Sequence, residues 1–507
     1  MRLRWFSTAV LLLCLTPAAR AASSASSAPS DFFTVGGTTY FSADDGVTGR
    51  ELWRTDGTAA GTYRLADICP GPCSAYPSFY FFNGRSYYFF ALDETGRFNL
   101  WMTDGTPGST LRLTNAPVRV APDGNYQRRW VPELGLLFFL ADDGVHGPEL
   151  WRSDGTPAGT SMVTDLWNGL PGSSPREMAS FNGRLYFVAD DSVRGPILWK
   201  SDGTPGGTIP VRDPVPGSAA HDGPSQLRVV GRSLYFVAPT PSNGVELWRS
   251  NGTTRGTAPL ADLNPGAAST TYYSFTFLGD RLYFVADAGS GQELWTSDGT
   301  SSGTRALTGF APVNAFYSPA NDSPFLALET VAGRFAFVAD DGIHGFELWK
   351  TDGTPQGTSL VKDVCPGSCS GALGAHTFGD RLVFLGTTPA RGQEPWISDG
   401  TAGGTHLLRD LCKGACSSSL FYFAWDLGGR LVFASRQPEA PGLWGSDGTA
   451  RGTVSLAPSV MVGEVPGIGI ASLGDRLVFA GRDAEHGTEL WTTDGTPGGT
   501  RLVADIR

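Results

Sequence analysis

The sequence predicts an all-β fold, a β-propeller of four-stranded antiparallel blades. Three observations lead to this prediction. A tryptophan-centred motif recurs ten times along residues 31–507. Each repeat contains four short apolar runs separated by turn residues. The 507 residues include 67 glycines and 35 prolines, a content typical of many short strands joined by turns.

The repeated motif reads ELWKTDGTPQGT at residues 347–358, and nearly the same twelve residues occur at 51–62 and 149–160. The copies follow one another at intervals of 47 to 54 residues. A period of this length indicates a solenoid, a propeller or an array of small units. The motif tryptophans are Trp53, Trp101, Trp151, Trp199, Trp248, Trp295, Trp349, Trp396, Trp444 and Trp491.

Four candidate strands make up one repeat, as in the copy around Trp295. They are residues 274–279 (SFTFLG), 280–287 (DRLYFVAD), 292–299 (QELWTSDG) and 304–309 (TRALTG). Short links join these runs, so neighbours are expected to pair antiparallel as a meander. A longer link then leads to the next repeat, which is typical of a propeller blade.

Both faces of the predicted sheet are apolar. Successive side chains of a strand point to opposite faces, and Leu282 and Phe284 alternate with Tyr283 and Val285. A sheet packed between two other blades has this pattern, whereas a β-solenoid lacks the hairpin rhythm. We predict a single ten-bladed ring, with two five-bladed rings as the alternative, because no linker separates the fifth and sixth copies.

The shared motif residues are predicted to be structural. Tryptophan occurs in all ten copies and the aspartate of Asp-Gly-Thr in nine, with Asn251 in the remaining copy. Asp-Gly is a turn pair, and tryptophan offers a large apolar area to a neighbouring blade. A residue that every blade needs is explained by blade assembly. The aspartates are Asp56, Asp104, Asp154, Asp202, Asp298, Asp352, Asp399, Asp447 and Asp494.

Three hairpins resemble one another in placing two acids beside glycines, at residues 43–49, 141–147 and 339–345. Calcium favours oxygen ligands of this kind. The spacing is not that of a calcium-binding loop, and other copies lack the acids. The sequence therefore predicts no cofactor and no metal, with calcium as the alternative.

The pattern ELW-x-[ST]-DGT-x-x-GT resembles that of bacterial exported proteins with the ELWxxDGT repeat. The resemblance covers essentially all of residues 31–507. It implies a surface or secreted location and a repeat scaffold, and it brings no catalytic residues to transfer. The chain departs from the pattern with NLW at 99–101, ILW at 197–199, EPW at 394–396 and GLW at 442–444. Since three of these copies lack the glutamate, that residue is not expected to be catalytic.

The first 30 residues are not expected to belong to the fold. Two arginines precede a largely apolar run, and an A-x-A pattern ends at Ala21, which predicts a secretory signal peptide over 1–21. A lipoprotein signal at Cys14 is the weaker alternative. Residues 22–30 are expected to form a disordered lead. The protein is therefore predicted to be exported, whether secreted, periplasmic or at the cell surface, without a transmembrane segment after cleavage.

The net charge of the chain limits the kinds of partner that it is expected to bind. Removal of residues 1–21 removes three arginines and no acid, which lowers the formal charge from −11 to −14. An acidic protein without a basic patch is not expected to bind nucleic acid, and anionic membrane surfaces would repel it. The predicted partner is a protein or a polysaccharide.

Six cysteines remain after cleavage, in three close pairs at the same repeat position. An even number in an exported chain favours disulfides, with free thiols and metal binding as alternatives. The pairs are Cys69 with Cys73, Cys365 with Cys369, and Cys412 with Cys416.

Function is expected at residues that differ between copies. The crossing at 114–135 and the insertion at 309–325 concentrate aromatic residues and arginines, which are common at binding surfaces. The candidate binding residues are Arg119, Tyr126, Arg128, Arg129, Trp130, Phe316 and Tyr317. No catalytic residue is predicted, because serine-hydrolase, zinc and phosphate-loop motifs do not occur. The leading hypothesis is a non-catalytic exported scaffold that binds protein or polysaccharide at or outside the cell envelope. The alternative is a carbohydrate-active propeller enzyme, a glycoside hydrolase or lyase.

Overall fold

The structure is a computed structural model that describes residues 26–114, 127–217, 222–266, 268–310, 329–331, 333–414, 420–435, 440–462 and 469–507. The regular elements of this part of the chain are 41 β-strands, arranged in ten antiparallel sheets. Each sheet is built from consecutive strands. The predicted all-β fold of four-stranded blades is confirmed.

The strands are numbered in chain order, and each set of four forms one blade, except that both β37 and β38 pair with β39 in the last blade. Blades one to five contain β1 Ser30–Val35, β2 Thr38–Asp44, β3 Arg50–Thr55, β4 Tyr63–Ala66; β5 Ser78–Phe82, β6 Tyr87–Leu92, β7 Phe98–Thr103, β8 Leu111–Arg112; β9 Arg128–Val131, β10 Leu136–Asp142, β11 Pro148–Ser153, β12 Ser161–Thr164; β13 Arg176–Phe181, β14 Arg184–Asp190, β15 Pro196–Ser201, β16 Ile209–Arg212; β17 Ser225–Val230, β18 Ser233–Thr240, β19 Gly244–Ser250 and β20 Thr257–Ala261. Blades six to ten contain β21 Thr271–Leu278, β22 Arg281–Asp287, β23 Gln292–Ser297, β24 Arg305–Ala306; β25 Glu329–Val331, β26 Arg334–Asp340, β27 Phe346–Thr351, β28 Ser359–Lys362; β29 Ala372–Phe378, β30 Arg381–Thr388, β31 Gly392–Ser398, β32 His406–Leu407; β33 Leu420–Asp426, β34 Leu431–Ser435, β35 Gly442–Ser446, β36 Val454–Ala457; β37 Met461–Val462, β38 Ile470–Leu473, β39 Arg476–Asp483, β40 Gly487–Thr493 and β41 Arg501–Ala504.

A phenylalanine lies at the centre of the second strand of every blade. Each of these ten side chains is at most 1% exposed, although successive residues of the strand face opposite sides of the sheet. The antiparallel register places each phenylalanine opposite the motif tryptophan of the third strand, as for Phe284 and Trp295. Cross-strand aromatic pairs of this kind stabilise a sheet. Both faces are apolar because each face packs against another blade.

Ten hydrophobic clusters hold neighbouring blades together, one at each interface of the ring. The cluster between blades five and six, with Tyr235 and Phe284, is apolar and aromatic like those at the other interfaces. Another cluster joins the last blade to the first, through Val478 and Phe41. The single ten-bladed ring is therefore confirmed, and the alternative of two five-bladed rings is wrong.

The ring is closed by chain that precedes the first strand. The Ser27 N–H and hydroxyl groups donate to the Glu489 carboxylate at 2.8 and 2.6 Å, and the Ala28 N–H donates to Thr488 O at 3.0 Å. For residues 26–30 the expectation of a disordered lead is thus corrected, because these residues are hydrogen-bonded to the last blade. The predicted signal peptide at 1–21 lies outside the described residues.

The first strand of each blade is the innermost one. First strands of neighbouring blades lie against each other, as β13 does against β9 and β17, and β1 against β5 and β38. The first strands therefore surround the axis of the ring and line its central channel. Within the described ranges, no helix is long and apolar enough to span a membrane.

Candidate functional site

The Asp-Gly-Thr turn is closed by its own side chains. In the first blade the Asp56 carboxylate accepts hydrogen bonds from the Thr58 N–H and hydroxyl at 2.9 and 2.6 Å. The amide oxygen of Asn251 accepts the same two bonds in the fifth blade. A Cβ atom on Gly61 would lie 2.1 Å from the Asp56 carboxyl group, so glycine is required there. The aspartate is occupied by the turn, and a neutral residue can replace it.

The same turn is also a contact point between blades. The Arg54 guanidinium, one residue after the motif tryptophan, donates to Gly105 O of the next blade at 2.9 Å. A Cβ atom on Gly105 would lie 2.1 Å from the Tyr40 hydroxyl. Equivalent donations from lysine or arginine occur across four further interfaces. The repeated glycine is thus needed for blade contact as well as for the turn.

Each motif tryptophan lies in the hydrophobic cluster shared with the preceding blade. Trp248, for example, is 2% exposed and packs with Phe181 and Tyr186 of the fourth blade. Its indole N–H donates to Ala238 O of its own second strand at 3.0 Å. The indole therefore fills an interface, and its single N–H donor is bonded within its own blade and does not face the channel.

The motif glutamate holds the crossing that leads to the next blade, a role that the sequence did not suggest. The carboxylate of Glu51 is fully buried and accepts the N–H groups of Ile68 and Cys69 at 2.7 and 3.2 Å. Burial raises the pKa of Glu51 to about 7, opposed by these two donors. Glu149 holds Ser173 in the same way, and Glu489 holds Ser27 across the closure of the ring.

The cysteine pairs lie in these crossings. Cys69 is bonded to Cys73, with Cα atoms 5.3 Å apart, and Cys365 to Cys369, with Cα atoms 5.6 Å apart. Cys412 is also in a disulfide, while Cys416 lies outside the described residues.

In the acid-rich hairpins, aspartate carboxylates accept hydrogen bonds from residues of their own turns. Asp143 accepts the N–H groups of Val145 and His146 at 2.9 Å, and its second oxygen lies 2.7 Å from His146 Nδ1. This pairing raises the pKa of His146. No group of three or more metal-ligating side chains occurs among the residues that the structure describes.

A cavity of about 550 Å³ opens where the first strands of blades two to five meet the channel. It is the place where residues that differ between copies converge. Its lining consists of Phe81, Gln127, Arg128, Arg129, Trp130, Leu137, Glu177, Met178, Leu227 and Arg228. A volume of this size is typical of small-ligand sites.

Side chains bridge neighbouring first strands around this cavity. Gln127 Oε1 accepts the N–H of Glu177 at 3.1 Å, and Glu177 Oε2 accepts the N–H of Leu227 at 3.0 Å. Gln226 Nε2 continues the series by donating to Tyr272 O at 3.1 Å. Each bridge joins one blade to the next, so the wall of the cavity is fixed by hydrogen bonds.

Two of the bridging residues lie in β-bulges with left-handed backbone. Glu177 has φ 56° and Gln226 has φ 57°, at the register shifts of β13 and β17. Such a conformation costs about 1–3 kcal/mol for a residue other than glycine, and bulges redirect side chains next to functional sites. The bulges aim these two side chains at the adjacent blades.

The cavity carries a formal charge of +2, from three arginines and one glutamate, in a protein that is acidic overall. Arg129 donates its Nε–H to Met178 O at 3.1 Å, and Arg228 donates to Leu227 O at 2.9 Å. Neither forms an ion pair with any described acid. Desolvation by the surrounding blades lowers the pKa of Arg129, and the charge of Arg228 adds to that effect. Burial also lowers the pKa of Arg128.

Of the candidate binding residues, three are brought together in this cavity: Arg128, Arg129 and Trp130. The others, Arg119, Tyr126, Phe316 and Tyr317, lie outside the described residues. Sequence analysis missed Glu177 and Arg228. A comparison of the ten first-strand runs would have marked both as charged residues at positions where several other copies are apolar.

Comparison with known proteins does not assign this chain to a family. No protein-family model matches the chain, and no curated protein matches it. A puromycin hydrolase is similar in structure, with 16% identity and a TM-score of 0.34 over 71% of this chain and 58% of that chain. A puromycin-hydrolyzing peptidase from Mycobacterium tuberculosis shows 15% identity and a TM-score of 0.36 over 71% and 58%. The computationally designed Ika8 protein shows 14% identity and a TM-score of 0.33 over 83% of this chain and 97% of that chain. The chain covers less than two thirds of either hydrolase, and likeness at this level carries no argument about function.

Proposed function

We propose that the protein is a non-catalytic exported scaffold that binds a polysaccharide or protein ligand in the cavity of its central channel. The observation that carries this proposal is the cavity of about 550 Å³ between the first strands of blades two to five. The motif residues of the repeat are engaged in turns and blade contacts, whereas most of the cavity lining comes from first-strand positions at which the copies differ. Binding is therefore assigned to the variable first strands.

Export is supported by the disulfides in the crossings. The bonds Cys69–Cys73 and Cys365–Cys369 are of a kind that persists in oxidising compartments. The signal-like residues 1–21 agree with this location. The likeness to exported ELWxxDGT-repeat proteins belongs to the same proposal.

A carbohydrate-active enzyme is less well supported. Glycosidases use two carboxyl groups that flank the scissile bond, and Glu177 is the one acid in the lining of the cavity. The described first strands carry three further acids, Asp31 in blade one, Glu329 in blade seven and Asp426 in blade nine. All four acids accept hydrogen bonds: Glu177 from Leu227, Asp31 from Ser30, Glu329 from Thr377 and Asp426 from the Gly379 N–H.

The test uses residues 22–507 on a glycan array and a peptide library. Any ligand captured should be lost on Arg228→Glu and kept on Arg232→Glu, since Arg232 is exposed in the turn after β17 and outside the cavity. Ligand capture that ignores Arg228→Glu would contradict the proposal. Turnover of a polysaccharide that Glu177→Gln abolishes would establish the enzyme instead.

A further inference from the structure

The backbone at the cavity is unavailable to an extended peptide. A peptide that adds to a sheet edge needs free N–H and C=O groups along that edge. Here the N–H groups of Glu177 and Leu227 are bonded to side chains of the preceding blades. Met178 O and Leu227 O accept from arginines. Along these two first strands, a ligand therefore meets side chains at the positions where backbone groups would otherwise receive it.

The side chains at the cavity combine three kinds of recognition. Arg129 and Arg228 supply planar guanidinium groups, which match the two oxygens of a carboxylate or sulfate. Trp130, half-buried and 6.0 Å from Phe81 between ring centroids, supplies an apolar face. Gln127 and Glu177 supply oxygens that can accept hydrogen bonds from hydroxyl groups.

Resting on the proposed function, we propose that the cavity binds an acidic oligosaccharide, one that bears carboxylate or sulfate groups. Blades three and five present two guanidinium groups without an acidic partner to the same cavity, and an anion bound there would offset the repulsion between these like charges. The sugar ring would stack on Trp130, and its hydroxyl groups would meet the amide and carboxylate oxygens of the wall. Arg129 and Arg228 are both exposed to solvent, so an acidic ligand can reach them, and the local charge of +2 attracts it in spite of the acidic surface.

Isothermal titration calorimetry with residues 22–507 tests this proposal. The probes are trigalacturonate, its carboxyl-reduced neutral counterpart, a sulfated galactose trisaccharide and triglutamate. We expect trigalacturonate or the sulfated trisaccharide to bind at least ten times more tightly than the neutral counterpart, and the tighter of the two identifies the anionic group. Affinity should fall about tenfold on Arg129→Ala and on Arg228→Ala, and by less on Arg228→Lys, which keeps charge but not the planar fork. Arg232→Ala, the same charge change in the same blade, should leave affinity unchanged.

Thermal unfolding of each variant shows whether it still folds. Equal binding of the neutral trisaccharide, or tighter binding of triglutamate than of either acidic saccharide, would overturn the inference and leave the cavity as a binding site. Binding that ignores both Arg129→Ala and Arg228→Ala, or no binding of any probe, would overturn the inference and weigh equally against the proposed function.

Discussion

Removal of residues 22–29 should open the ring between its last and first blades. The shortened chain loses the two hydrogen bonds from Ser27 to the buried Glu489 carboxylate, at 2.8 and 2.6 Å. It also loses the bond from the Ala28 N–H to Thr488 O at 3.0 Å. The crossings between the other blades do not depend on such hydrogen bonds alone, because the polypeptide is continuous from one blade to the next.

The magnitude follows from the kinds of bond. A hydrogen bond to a charged acceptor contributes about 1.5–3 kcal/mol and a neutral one about 0.5–1.5 kcal/mol, so the three bonds together are worth roughly 4–7 kcal/mol. Water then hydrates the exposed Glu489 carboxylate, which offsets part of this loss. We expect the free energy of unfolding to fall by about 3 kcal/mol.

Urea unfolding followed by tryptophan fluorescence measures this loss, because the motif indoles lie in the interfaces between blades. The control chain begins at Ser26, so that it lacks residues 22–25 and keeps every contact described above. A chain that begins at Ser30 and unfolds at the same urea concentration as the control would refute the reasoning. It would show that packing between the terminal blades alone closes the ring.

Three further predictions concern the repeated motif. Trp349→Ala should lower the free energy of unfolding by about 3–5 kcal/mol in urea titrations and leave ligand affinity in the channel cavity unchanged; loss of binding without loss of stability would make the indole a ligand site. Glu51→Ala leaves two buried N–H groups without an acceptor and should cost about 2–4 kcal/mol by the same measurement, and an unchanged midpoint would contradict the proposed role. Hydrogen bonds from Thr106 and Ser109 lower the pKa of Asp104 to about 2, so this group contributes stability above pH ~4 that is lost as the pH falls through about 2. Asp104→Asn should therefore reduce the drop in melting temperature between pH 4 and pH 2, and an equal drop in both proteins would contradict this assignment.

The repeat could be predicted from the sequence because every blade is packed between two others and therefore needs the same apolar strands and tight turns. A strand buried on both faces must be apolar along its centre, as at residues 282–286 of β22, and an Asp-Gly turn must keep its glycine. These requirements recur at a fixed period, so they are visible without coordinates. The choice of one ring also followed from the sequence, since the crossing between blades five and six is an ordinary one.

The closure and the cavity could not be predicted in the same way. Ser27 lies in a low-complexity stretch whose composition is typical of a linker, and its partner Glu489 is 462 residues away. Glu177 and Arg228 come together only because the ring brings separate blades to one axis. The left-handed backbone of Glu177 lies in a bulge of its first strand, and the pattern of apolar runs in the sequence does not mark such a bulge.

A ring of ten blades has a wide axis that side chains of neighbouring blades cannot fill by apolar packing alone. Polar bridges from Gln127, Glu177 and Gln226 instead connect successive first strands. Two of these bridges require left-handed backbone at residues other than glycine, a conformation that costs stability and persists only when its surroundings fix it. The repeated turns and indoles stabilise the remainder of each blade, together with the buried glutamate in the seven blades that have one. Two of the residues with this strained backbone, Glu177 and Gln226, thus lie in inner strands near the two arginines that no described acid neutralises, and contacts with a bound ligand would offset part of that strain.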